Sequence, residues 1–141
     1  MGLDTTHDCF HGAYSAFSRW RNAVAEAAGY LVAPVKWPGL GYEADSVLID
    51  WGHVEEKNYA GEWDEIPSDP LMILIVHSDC DGKILPEHTT PLADRLAEIL
   101  PLMTCAGGGH IERDGGYQRV TQRFIEGLRA AAGSGEAVRF Y

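Results

Sequence analysis

The chain has 141 residues, 45% of them hydrophobic, with four tryptophans; that supports one packed core and is too short for two ordinary domains. Acidic residues outnumber basic ones 21 to 11, for a formal net charge of −10, and no basic stripe runs along the chain, so nucleic acid and anionic membranes are excluded as main partners. No stretch approaches a membrane span, no signal-peptide pattern precedes the first expected helix, and three cysteines (Cys9, Cys80, Cys105) without a CxxC pair indicate a reducing, cytoplasmic setting.

Met1 to Asp4 reads as a short strand or a lead-in. Thr5 stands three residues before Asp8, the spacing of a capping box, which predicts a helix from about Thr6 to Ala28 with Gly29 as its stop. Phe10, Tyr14, Phe17, Val24 and Ala28 follow helical spacing and are expected inside. Gly12 opposes that reading, because an interior glycine costs about 1 kcal/mol against alanine; the alternative starts the helix after Gly12 and leaves HDCFH in a loop.

Pro34 to Gly41 is a turn-rich connection, and Ser46 to Trp51 reads as a strand. The segment from Gly52 to Pro70 has no period and holds six acids against one lysine; a loop of that length is functional or mobile, with Tyr59 and Trp63 as lid or partner anchors. The continuous apolar run LMILIVH, Leu71 to His77, predicts a strand buried on both faces. Thr90-Pro91 supplies a cap and first-turn proline for a helix ending before Pro101. After a glycine-rich span comes a helix from about Gly116 to Ala132, turning Val120, Phe124, Leu128 and Ala131 inward, and Ala137 to Tyr141 is a closing strand. The expected fold is α/β (or α+β): about three helices packed on a small three- or four-stranded mixed sheet, in one domain over residues 1–141 with an acidic loop at about 52–70.

Two short stretches carry most of the chemistry. On a helix, His7 and His11 of HDCFH would lie on one face, outlining H-E-x-x-H with Asp8 in place of the glutamate that activates water. Aspartate is one methylene shorter, and no third ligand follows at a fixed spacing. In HSDCDGKILPEH, Asp79, Asp81 and Gly82 occupy calcium-loop positions, but histidines stand where the first and last carboxylates belong. An Asx-type turn with Gly82 at positive φ is the plainer reading. Its place after an expected central strand still makes His77, Asp79 and Asp81 site candidates, since ligands gather beyond the carboxyl ends of strands in α/β sheets. Cys80, flanked by two aspartates, is a poor nucleophile because acidic neighbours raise a thiol's pKa; Cys9, near the expected helix N-terminus, is better placed, but small buried thiols are far commoner than reactive ones. Arg19 lies near the His11–Ser15 face of the first helix, and Arg113, Arg119 and Arg123 cluster around the start of the last, where guanidinium groups and free amides can hold phosphate or carboxylate.

GLDTTHDCFHGAYSAFSRWR, LIVHSDCDGKILPEHTTPLADRLAEILPLM and RFIEGLRAAAGSGEAVRFY resemble segments of a group of small proteins from actinobacteria and their phages. The resemblance implies a cytoplasmic, phage- or bacterium-encoded stand-alone domain and carries over no activity, cofactor or catalytic residue.

Three functions follow as expectations. The first is a non-catalytic binding protein that holds a small polar or phosphate-bearing ligand among His7, Asp8, His11, Arg19, His77, Asp79 and Asp81; in a phage setting this means sequestering a host signalling nucleotide. The second is a metal-dependent hydrolase with His7, His11 and His77 as ligands of a divalent metal and Asp8 or Asp79 handling water. The third is a protein–protein module whose acidic Trp/Tyr loop meets a basic partner. Homo-oligomerisation is compatible with all three. A catalyst needs base, acid and charge stabiliser together, and only fragments of that set are visible in the sequence.

Overall fold

The computed structural model describes residues 2–30, 32–36, 43–47, 55–103 and 115–141. The HDCFH stretch does not open a helix. The Thr5 hydroxyl oxygen instead accepts the Phe10 N–H at 2.9 Å, which folds residues 5–10 into a turn and leaves the capping box unmade. Threonine side chains offer the backbone this kind of alternative to a helix, and Gly12 weakens the helical competitor. The result is a hairpin: β1 (Gly2–Asp4) pairs antiparallel with β2 (His11–Ala13), Leu3 opposite Gly12 and Asp4 opposite His11. The first helix, α1 (Tyr14–Ala27), begins only after Gly12 and is capped by Ala28, with Gly29 just beyond.

The apolar run LMILIVH does not form the expected buried strand. Leu71–Ile75 is not a strand but a short helix, α3, following the single-turn α2 (Glu56–Tyr59). Asp69 accepts the Leu71 N–H at 3.0 Å and Pro70 precedes the first turn, both helix-start signals. Leu71, Ile73, Leu74 and Ile75 are buried and Met72 is partly buried, so the run has no polar face; a largely buried helix and a strand buried on both faces then show the same pattern. Arg21 reaches in from α1 and donates to the carbonyls of His77 and, at 3.3 Å, Ile75, serving the otherwise unpaired end of α3. Burial lowers this guanidinium's pKa to about 10.

α4 (Pro86–Ile99) starts earlier than Thr90-Pro91 suggests: Pro86 fills the first helical position, and Pro91 lies inside the helix. α5 (Gly116–Ser134) runs two residues past the expected Ala132 and packs along α4. β3 (Val32–Lys36) pairs with β4 (Glu43–Val47), and β5 (Lys83–Ile84) with β6 (Val138–Arg139), both antiparallel. The fold is therefore α+β: five α-helices, two 3-10 turns (Thr6–Asp8 and Leu100–Leu102) and three two-stranded antiparallel pairs among the described residues, rather than one three- or four-stranded mixed sheet. The C-terminal segment stitches two of these pairs, because Tyr141 exchanges two 2.9 Å hydrogen bonds with Asp4 while Phe140 donates to Gly82 O at 3.0 Å. Of the Ser46–Trp51 stretch only Ser46 and Val47 are in β4; the rest, with Cys105, Arg113 and the GGGH tract, lies outside the described residues.

The core joins these elements through aromatic rings. Phe17 and Trp20 of α1, fully buried, meet Phe10 of the turn, Phe124 of α5 and Phe140 of the C-terminal segment, with centroid separations between 4.9 and 6.1 Å. Trp20 Nε1 donates to Thr121 Oγ1 at 3.0 Å, and that hydroxyl donates to Tyr117 O at 2.8 Å, so neither polar atom is buried unpaired. No helix among the described residues is long and apolar enough to cross a membrane.

Candidate functional site

The HDCFH turn forms one wall of an open groove of about 1390 Å³, with α1 and α5 supplying the others. The turn is held from below. Gly127 of α5 brings helix backbone against it so closely that a Cβ there would stand 2.4 Å from Cys9 Sγ and 2.8 Å from His7 O. Cys9 is buried and its thiol pKa is pushed up to about 12 by desolvation, so it packs as a small apolar group and has no nucleophilic role. His7 and Asp8 both take the left-handed conformation, at φ 61° and 54°. Arg123 steadies that corner by donating from Nε to Asp8 O at 3.0 Å.

Four sequence candidates, His7, Asp8, His11 and Arg19, line this groove together with Arg119 and Arg123. His7 is tied to Thr6 Oγ1 at 2.9 Å and to Glu136 at 3.4 Å. His11 Nδ1 is hydrogen-bonded to the Asp4 carboxylate, leaving its other ring nitrogen outside that bond. No spacing rule points to Asp4, because the pair is made by hairpin register, which sets Asp4 opposite His11 across the strands. The same holds for Arg119 and Arg123: one turn apart on α5, they reach the N-terminal turn only through packing between α5 and residues 6–8. Arg19 makes no ion pair among the described residues, whereas Arg119 lies 3.9 Å from Glu126.

The start of α1 adds to this positive character. Ala13 provides no side-chain cap, and no acidic residue sits in the first turn, so the first amides of the helix have no partner within it. Ala13, Ser15 and Ala16 line the groove at that end, where unpaired N–H groups favour an anion.

The remaining candidates lie elsewhere. His77 is 2% exposed and does not line the groove; its Nδ1 is 2.8 Å from Ser78 O, its Nε2 is 3.2 Å from Lys83 O, and its ring stacks on Phe140 at 4.0 Å. Asp81 accepts the Gly82 N–H at 2.7 Å in a turn that Gly82 completes at φ 87°, and Asp79 sits near the buried Arg21. This is the local turn rather than a calcium loop, and it follows the helix α3 instead of the carboxyl end of a strand. No three His, Cys, Asp or Glu side chains are grouped as metal ligands among the described residues, so His7, His11 and His77 are not brought together around one ion. Tyr59 and Trp63 are half-buried against the core. Their loop is docked through Ser78 N–H to Tyr59 O at 2.8 Å and Lys83 N–H to Ala60 O at 3.1 Å.

Comparison with protein-family models, curated proteins and solved structures finds no match to this chain.

His77 supplies a pH signature of folding. A neutral imidazole has one N–H for two facing carbonyls; burial nevertheless outweighs both contacts and holds its pKa below the ordinary value. The unfolded chain then binds the proton more readily. Stability from this group is full above the ordinary histidine pKa of about 6.5 and falls as pH drops from there toward the lower folded value. The other charges near the ring are Arg21, which disfavours its protonation, and Asp81, which favours it. The melting temperature is expected to decline as pH falls below the ordinary histidine pKa of about 6.5, and His77→Asn should flatten that decline. Identical pH slopes in the two proteins would contradict the assignment. Asp69 acts in a separate, more acidic window. Burial raises its pKa, but bonds from Tyr30, the Leu71 amide and Arg95 together hold it below the usual range.

Proposed function

We propose that the groove holds a small phosphate-bearing ligand, and that the protein acts by binding it. The supporting observation is the convergence of Arg19, Arg119 and Arg123 from two helices on the His7–His11 turn, beside the uncapped start of α1. Guanidinium groups and free helix-terminal amides share one chemical preference, for phosphate or carboxylate oxygens. The opposing carboxylates are partly occupied: Asp4 by His11, and Glu126 by Arg119 and Gln122. In the sequestration version of this reading the ligand is a host signalling nucleotide, and its phosphates take the arginine end.

The test is calorimetric titration with a panel of nucleotides and pyrophosphate, supported by thermal-shift measurements. A charged hydrogen bond is worth about 1.5–3 kcal/mol, so Arg19→Ala should weaken binding roughly 10- to 100-fold while leaving the fold intact; Arg123→Ala should weaken it at least as much, because it also removes the bond to Asp8 O that steadies the turn. Affinity should also fall with added salt. A folded protein that none of these compounds stabilises would sink the proposal.

A further inference from the structure

The three carboxylates of the groove are not equivalent. Asp4 is engaged by the His11 ring, and Glu126 accepts from Gln122 at 3.3 Å and faces Arg119 at 3.9 Å. Asp8 differs from both. Its backbone carbonyl takes the Arg123 guanidinium, its φ of 54° presents the residue at the crest of the turn, and its side chain is exposed. Among the described residues its carboxylate has no hydrogen bond or ion pair.

A bare phosphate drawn in by the arginines would meet this carboxylate as a like charge. A ligand that sets hydrogen-bond donors against Asp8 removes the conflict. An ammonium group would be repelled by Arg123 next to it, whereas hydroxyl groups carry no charge and still donate. The two oxygens of one carboxylate can receive two neighbouring hydroxyls, as acidic residues do for the ribose hydroxyls of nucleotides. A groove of about 1390 Å³ has room for such a ligand. We infer that the groove selects a sugar phosphate over a bare phosphate, with Arg19, Arg119 and Arg123 holding the phosphate and the Asp8 carboxylate accepting from the sugar hydroxyls.

This inference rests on the phosphate-binding reading, and its test separates the two. Inorganic phosphate and ribose 5-phosphate are titrated into the wild-type protein, Asp8→Gly and Asp8→Asn. Glycine accepts the left-handed conformation and removes the carboxylate; asparagine tolerates it and keeps one acceptor oxygen. In the wild type, ribose 5-phosphate should bind about tenfold more tightly than phosphate, the scale of one or two added hydrogen bonds. Asp8→Gly should abolish that preference while phosphate binding persists or strengthens, since a negative charge is gone; Asp8→Asn should keep part of it. Equal affinities in the wild type, or a preference that survives Asp8→Gly, would overturn the inference and leave phosphate binding standing. Failure of the folded wild type to bind either compound would remove both.

Discussion

Replacing Trp20 with alanine is expected to destabilise the protein by about 3–5 kcal/mol, the usual cost of emptying a buried aromatic site. The ring is fully buried at the meeting point of Phe10, Phe17 and Phe124, so its removal leaves a cavity walled by rings from three separate elements. Small domains have only about 5–15 kcal/mol in total, so a large fraction of the folding free energy would be lost. Trp20→Phe separates packing from hydrogen bonding. It keeps most of the apolar contact and loses the donor to Thr121, a change of about 1 kcal/mol, because Thr121 remains bonded to Tyr117 O. Urea denaturation of both variants measures the difference. A loss below 1 kcal/mol for alanine would mean that the aromatic cluster does not hold α1 to α5.

Gly127→Ala is the second large effect, and it ties the fold to the groove. The new methyl group would stand 2.4 Å from Cys9 Sγ, 2.8 Å from His7 O and 3.0 Å from Cys9 Cα. Two of those three atoms are backbone, so the whole turn or the helix must shift. Overpacking of this kind costs roughly 1–3 kcal/mol. Gly133 provides the internal control: it lies on the same helix, a Cβ there meets nothing within 4 Å, and Gly133→Ala should stabilise by about 0.5–1 kcal/mol through helix propensity. Opposite signs for the two substitutions, read from denaturation midpoints, are the expected outcome. Gly127→Ala should also weaken ligand binding in the groove, because His7 and Asp8 ride on the displaced turn. A stabilising Gly127→Ala would mean that the helix does not press against residues 7–9.

Elements whose polar and apolar residues alternate with a clear period can be read along the chain. The last helix, with Phe124, Leu128 and Ala131 inward, and the closing segment at Val138–Arg139 are legible for that reason, while the stop of α1 is legible from Gly29 itself. Gly12 also carried the true start of α1 as the alternative to the capping box. Leu71–Ile75 was not legible, since burial on every side erases the period that separates a helix from a strand. The candidate residues around HDCFH were visible as residue types, but their grouping was not. Asp4 meets His11 through hairpin register, while Arg119 and Arg123 meet the turn because a residue without a side chain, Gly127, lets α5 approach it. His77, Asp79 and Asp81 looked equivalent to that set in composition; tertiary packing stacks His77 on Phe140 instead and closes Asp81 into a local turn. Residue spacing within one element can be read along a chain, whereas contacts between elements depend on which faces the core draws together, and only the folded structure decides those.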